Sequence, residues 1–137
     1  MAVACVFVLF APATGARASP HIDYMLHCQG CHLEDGHGVP GVMPGLREEV
    51  GRIAAVPGGR DYLLRVPGVA SSPLPSDALA GVLNWVLVHF NPGTLPPGFA
   101  PFTADEVAKT RARPLEDPAR ERTRIYRAPD YASRRPH

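Results

Sequence analysis

The stretch Cys28-Gln29-Gly30-Cys31-His32 constrains this chain more than any other feature of its sequence. In a helix, side chains three and four residues apart point in nearly the same direction, so both thiols and the imidazole can face one object. The pattern C-x-x-C-H is typical of covalent haem attachment, in which the histidine binds the iron. It therefore predicts one haem c, attached through Cys28 and Cys31, with His32 as axial iron ligand.

Two other chemistries use closely spaced cysteines. Zinc could recruit Cys28 and Cys31 with two of His27, His32 and His37, because sites of two cysteines and two histidines are common. No second cysteine pair follows at the spacing of a zinc finger, although His32 and His37 are close in sequence. A redox-active C-x-x-C of the thioredoxin type needs a surrounding βαβ pattern, which is not visible here. Covalent haem explains the motif best.

The N-terminal residues 1–11 are almost wholly apolar, and Ala16-Arg17-Ala18 follows with the small-x-small pattern of a signal-peptidase site. The apolar run is about ten residues, shorter than the roughly 20 needed to cross a bilayer as a helix. We therefore expect residues 1–18 to be a signal peptide and expect no transmembrane segment. Its removal would leave two cysteines, those of the motif, in a periplasmic or otherwise exported protein.

Helical periodicity and Gly/Pro-rich breaks predict an all-α fold of one domain after the signal peptide. Ser19 is the expected N-cap of the first helix and Ser76 that of the last core helix, whose apolar stripe ends at Asn91-Pro92-Gly93. Residues 33–46 and 66–76 are expected to be loops. The predicted helices cover residues 19–32, 47–55, 60–65, 76–90 and 103–113.

The C-terminal third differs in composition from the body. We divide the mature chain into a haem domain over residues 19–90, a Pro-rich strap with a short helix over 91–113, and a basic tail over 114–137 that we expect to be disordered. Residues 19–103 carry a net charge of −3, whereas residues 104–137 carry +3. The tail is therefore either a solvated segment or an electrostatic docking arm for an acidic partner.

The chain resembles the class I c-type cytochromes. The resemblance rests on Cys31-His32, Asp35-Gly36, Gly38 and the run Val39-Pro40-Gly41-Val42-Met43-Pro44-Gly45-Leu46, which is similar to the family's segment after the haem motif. It implies cytochrome c-like helices wrapped around one covalent haem. It further implies that the carbonyl of Pro44 accepts a hydrogen bond from the ring of His32, while a plain turn proline is the alternative.

The resemblance is incomplete at the sixth iron ligand. Family members usually supply a methionine from the loop before the final helix, and the matching residues 66–76 hold no methionine, histidine or lysine. Met43 is the sixth ligand that we select. A histidine (His37 or His89), Met25, a partner's residue and an open or water-bound iron are the alternatives. Trp85 is expected either to pack beside the apolar stripe or to donate to a haem propionate.

These features predict a monohaem c-type cytochrome that carries single electrons between a redox donor and an acceptor through transient contacts. A dehydrogenase is the donor we favour. Two alternatives stay open: a five-coordinate haem protein that binds a small gas or reacts with peroxide, and a relay subunit tethered to a dehydrogenase complex. We expect no catalytic residues, and sparse aromatic residues among the basic ones argue against nucleic-acid binding.

Overall fold

The computed structural model describes residues 18–134, and the regular structure in this range is helical. The helices are α1 Pro20–His27, α2 Gln29–His32, α3 Glu49–Ala54, α4 Gly59–Arg65, α5 Pro67–Ala70, α6 Ser76–Phe90, α7 Ala104–Arg111, α8 Pro118–Arg127 and α9 Pro129–Ala132. Extended pairing in the described residues is limited to an isolated bridge between Val39 and Met43. The predicted all-α fold is confirmed. Of the predicted signal peptide, residues 1–17 lie outside the described residues.

The first helix begins where the sequence predicts. The Ser19 side chain accepts a hydrogen bond from the Ile22 amide at 3.3 Å, and Pro20 occupies the first helical position. The predicted continuous helix is interrupted at Cys28, whose φ of −127° separates α1 from α2. Cys28 therefore lies at a joint between two helical segments.

Helix α6 is the central element of the core. Its buried side chains recur at helical spacing, and the helix packs against both α1 and α7. The prediction that Ser76 is the N-cap is wrong, because Pro75 occupies that position in an extended conformation and Ser76 is the first helical residue. The buried residues of α6 are Leu79, Ala80, Val82, Val86, Leu87 and Phe90.

The elements between the motif and α6 differ modestly from prediction. Helices α3 and α4 begin and end within two residues of their predicted bounds. The loop expected over residues 66–76 contains the short helix α5, with Pro67 at its first position.

No helix in the described part of the chain is long and apolar enough to span a membrane.

The Asn84 side chain of α6 binds the backbone of the Pro-rich strap. The Asn84 side-chain amide donates to the Phe102 carbonyl at 2.9 Å and accepts from the Phe102 amide at 2.8 Å. It therefore pairs with the Phe102 backbone as a neighbouring strand would. The N-cap half of the predicted capping box at the start of α7 is confirmed, because the Thr103 hydroxyl accepts from the Glu106 amide at 3.1 Å, whereas both oxygens of the Glu106 carboxylate accept from Arg60. The helix ends at Arg111, slightly before the predicted end.

The expectation of a disordered tail is wrong for residues 114–134. This segment forms α8 and α9, and it buries Ile125 and Tyr131 to 1% and 4% exposure. The Leu115 amide also donates to the Arg65 carbonyl at 3.0 Å. The composition misleads because two buried apolar side chains are enough to order this segment when they pack on an already folded core.

Truncation of one of these side chains tests the folded tail. Ile125→Ala should lower the free energy of unfolding by about 2–5 kcal/mol, because it removes buried methyl groups and leaves a cavity. Arg127→Ala, on the exposed side of the same helix, is the matched control and should change it by about 0.5 kcal/mol or less. Denaturant titration of the two purified variants measures both values. Equal stability of Ile125→Ala and the parent chain would contradict the packing.

Candidate functional site

The two cysteines and the histidine of the motif project from one helical turn. The amides of Cys31 and His32 both donate to the Cys28 carbonyl, at 3.1 and 3.0 Å. Both cysteines are free thiols, Cys28 half-buried and Cys31 exposed. Burial raises the pKa of the Cys28 thiol to about 11, and the charges of Asp23 and Cys31 add to the shift. Two uncrosslinked thiols on one turn suit the addition of S–H groups to the two vinyl groups of a porphyrin.

The imidazole of His32 is oriented by a backbone carbonyl. Its Nδ1 lies 3.0 Å from the Pro44 oxygen, and because a carbonyl can only accept, Nδ1 carries the proton. Nε2 then has a free lone pair. Burial lowers the pKa of His32, although the Pro44 carbonyl opposes the shift, so the neutral ring is favoured. A neutral imidazole whose second nitrogen is held by a carbonyl is the usual state of an iron-ligating histidine.

A tight turn holds Pro44 in this position. The Gly38 amide donates to the His32 carbonyl at 3.0 Å, and Val39 and Met43 exchange backbone hydrogen bonds of 2.8 and 2.9 Å. Gly38 has φ +69°, and a Cβ there would lie 2.5 Å from the Met43 oxygen and 2.6 Å from the Pro44 oxygen. This position therefore needs glycine both for its backbone angle and for the close approach of the next stretch of chain.

Met43 and His37, the other ligand candidates near the motif, are held by contacts of their own. Met43 belongs to the turn that brings Pro44 to His32, so it would have to leave this turn to reach the opposite face of a haem. Its role as sixth ligand stays a prediction. The His37 Nδ1 lies 2.6 Å from the Asp35 carboxylate, and the hydrogen bonds from His37 lower the pKa of Asp35.

Trp85 is a packing residue in this structure. Its ring stacks on His21 at 5.1 Å and on His89 at 4.5 Å between centroids, and its edge contacts Phe90. Stacked and edge-to-face aromatic pairs stabilise a fold beyond the area that they bury. The geometry matches the packing alternative that the sequence leaves open.

Sequence reasoning missed the contact between Tyr24 and the residue that follows the motif. The Tyr24 hydroxyl donates to the Leu33 carbonyl at 2.6 Å, and burial raises the pKa of Tyr24 to about 12. Leu33 has φ +64°, a backbone region that L-residues rarely occupy. The signal was available, since Tyr24 precedes Cys28 by four residues and so shares its helical face.

Exposed apolar side chains flank the motif. Five of the seven large apolar side chains exposed in the described residues lie between positions 25 and 42, namely Met25, Leu26, Leu33, Val39 and Val42. A concentration of this kind marks a surface that another apolar group covers. A porphyrin is such a group, so the residues present fit a covalently attached haem. Among the described residues, no three or more His, Cys, Asp and Glu side chains gather into a metal site, which leaves the zinc alternative without support.

Comparison with known proteins decides the family. Two cytochromes c-552, one from Thermus thermophilus and one from a designated strain of the same species, are each 38% identical to this chain over 106 residues. The alignments cover 64% of this chain and 81% and 72% of the two relatives. The chain belongs to the class I c-type cytochromes. No protein-family model matches the chain.

Family membership confirms the cofactor and the general function that the sequence predicts. This cytochrome carries covalently bound haem c and is an electron-transfer protein that exchanges electrons with redox partners. The two cysteines of its C-x-x-C-H motif match the attachment chemistry of the family.

Alanine substitution at two glycines tests the turn that holds Pro44. Gly38 and Gly41 both have positive φ, but a Cβ at Gly41 meets no atom within 4 Å. Gly41→Ala should cost roughly 1–2 kcal/mol of unfolding free energy, from the left-handed backbone alone. Gly38→Ala should cost more because it displaces the Pro44 carbonyl, and if His32 is the iron ligand, as predicted, it should also shift the absorption and Raman bands of an iron–histidine bond. Identical effects of the two substitutions on spectrum and stability would count against this assignment.

Proposed function

We propose that Cys28 and Cys31 hold the haem through two thioether bonds and that His32 is its proximal iron ligand. The observation that carries this assignment is the His32 Nδ1 hydrogen bond to the Pro44 carbonyl, with both thiols on the same turn. When bound, the haem supplies an iron that alternates between the ferrous and ferric states as one electron enters or leaves.

The chain's own residues set the conditions for that exchange. The Pro44 carbonyl fixes the imidazole plane and raises the basicity of Nε2, which favours the ferric state. The thioether bonds keep the cofactor attached in both states, and the exposed Cys31 places one attachment point at the protein surface. Redox partners need only a small and transient contact there.

Residues 19–90 are, in this proposal, the haem domain, and residues 91–134 brace it. The brace includes a bidentate ion pair in which Arg60 Nε and Nη2 lie 3.0 and 2.6 Å from the Glu106 carboxylate. The Arg60 guanidinium also lies 4.2 Å from the centre of the Phe102 ring. These contacts join α4 to the strap and to α7.

The cytochrome is further proposed to be exported to the periplasm, after cleavage following Ala18, and to accept electrons from a dehydrogenase. Support for export comes from the apolar N-terminal residues and the Ala16-Arg17-Ala18 pattern. Support for a protein donor comes from the attachment chemistry, which suits a carrier that meets larger redox enzymes briefly.

Loss of the two thiols tests the attachment. The Cys28→Ala, Cys31→Ala double variant should show no haem staining after denaturing electrophoresis, because no thioether bond can form. Gln29→Ala, between the two cysteines, is the matched control and should stain like the parent. The intact mass of the parent holoprotein checks both the added haem and the cleavage site. Haem that stays with the double variant through denaturation would overturn the assignment.

The exposed side of α8 is the proposed docking surface for an acidic redox partner. Arg120, Arg124 and Arg127 are exposed and follow one another at helical spacing on this helix. Arg124 is already paired with Glu121, with Nη2 at 2.5 Å. Arg120 and Arg127 therefore contribute most of the attraction that a negatively charged surface would feel.

Charge reversal on this surface tests the docking role. The Arg120→Glu, Arg127→Glu variant of the tagged holoprotein should retain less of a dehydrogenase from extracts of its own cells, and the loss should grow at low salt. The Arg120→Lys, Arg127→Lys variant keeps the charge and should behave like the parent. Equal recovery of the same partner by all three proteins, measured by mass spectrometry, would reject α8 as a docking surface.

A further inference from the structure

The methionine, histidine and lysine side chains of residues 18–134 are the ones that could fill the sixth coordination site of the iron. These residues contain His32 and seven other side chains able to bind haem iron as methionine, histidine or lysine. A sixth ligand must approach from the haem face opposite His32. The seven are His21, Met25, His27, His37, Met43, His89 and Lys109.

Two of the histidines are committed to a stack on Trp85. His21 lies against one side of the indole at 5.1 Å, and His89 stacks on it at 4.5 Å with an interplanar angle of 15°. His89 also contacts the Phe90 ring at 5.0 Å. This cluster joins the start of α1 to the end of α6, so ligation by either histidine would require the stack to separate.

Two more candidates lie on the side of His32. Met43 exchanges both backbone hydrogen bonds with Val39 in the turn whose next residue, Pro44, accepts from His32. His37 is held 2.6 Å from Asp35 in the segment that leads from the motif into the same turn. Both are therefore held in the segment that orients His32, and either would have to leave these contacts to bind the iron from the opposite side.

The last three candidates lie on helices whose positions are fixed by packing or by the motif that follows. Met25 and His27 are exposed residues of α1, the helix that leads directly to Cys28 and Cys31. Lys109 is an exposed residue of α7, a helix that packs on α4 and α6. All three side chains therefore extend into solvent from helices that pack on the core.

The segment before α6, residues 66–76, is closed and well anchored. Arg111 of α7 donates to three carbonyls in it, those of Ala70, Ser72 and Leu74, at 3.3 Å to Ala70 and 2.9 Å to Leu74. Val69 and Leu74 pack against the core. Apart from serine hydroxyls its side chains are apolar, so it offers the iron no strong ligand.

We infer that the iron position opposite His32 receives no side chain from residues 18–134 and is open to a small diatomic molecule such as CO or NO. This inference rests on the proposed role of His32. Binding is coordination alone: the carbon lone pair of CO, or the nitrogen of NO, donates into the vacant position of ferrous iron, and no electron or proton is transferred. The carrier would then respond to a gas that a six-coordinate haem excludes.

Carbon monoxide is the probe for this inference. The purified, full-length ferric holoprotein should be high-spin by electron paramagnetic resonance. After reduction under argon, CO should shift the Soret band and saturate at one molecule per haem. A low-spin ferric spectrum together with no change under saturating CO would overturn the inference. Because the test uses only protein that stains for covalent haem, failure of the attachment itself appears separately, as protein without staining.

Three substitutions identify the ligand if the ferric iron is low-spin. Conversion to high-spin by Met43→Leu would show that Met43 leaves its turn and binds the iron. Conversion by His137→Ala would show that a residue outside the described range does so. Either result overturns the inference. Conversion by Met25→Leu would likewise overturn it, because Met25 is one of the seven candidates, and a high-spin spectrum with full CO binding in the parent and all three variants would support the inference.

Discussion

The hydrogen bond between the His32 ring and the Pro44 carbonyl is the interaction on which the site depends. It joins a rigid helical turn to a loop that has little regular structure of its own, and it sets both the tautomer and the plane of the imidazole. Gly38 permits this bond, because any side chain there would collide with the backbone that carries Pro44. With His32 in its proposed role, the electronic character of the iron is tied to a turn twelve residues away in sequence.

Strain next to the motif is balanced by hydrogen bonds. Leu33, with φ +64° and ψ 167°, occupies a backbone region that costs on the order of 1–3 kcal/mol for a residue other than glycine. Its amide donates to Gln29 at 2.8 Å, and its carbonyl accepts from the buried Tyr24 hydroxyl at 2.6 Å. Tyr24 in turn packs against Trp85 and Phe90 of α6. The core helix therefore stabilises the sharp change of direction that the chain makes immediately after His32.

Local signals predicted much of the fold, and their failures have physical causes. The Ser19 and Thr103 caps were predictable because capping depends on a few consecutive residues. Ser76 failed because Pro75 already adopts the extended cap conformation one residue earlier. The folded state of residues 114–134 was not predictable, because Ile125 and Tyr131 are too few apolar residues to fold this segment alone. The segment becomes ordered by packing on the rest of the protein, to which the Leu115–Arg65 backbone hydrogen bond joins it.

The sequence by itself determined the cofactor chemistry and the helical class, and it supplied the side chains proposed to hold the haem, since all of these follow from residue type and short spacing. Only the tertiary structure decided how Pro44 approaches His32, how Trp85 holds two histidines, and how Arg111 anchors the segment that faces α7. Apart from the Trp85–His89 stack, which lies within one turn of α6, those contacts join residues far apart in sequence, and no local propensity encodes their distances. The inferred access of a small gas to the iron rests on this packing as well as on the motif.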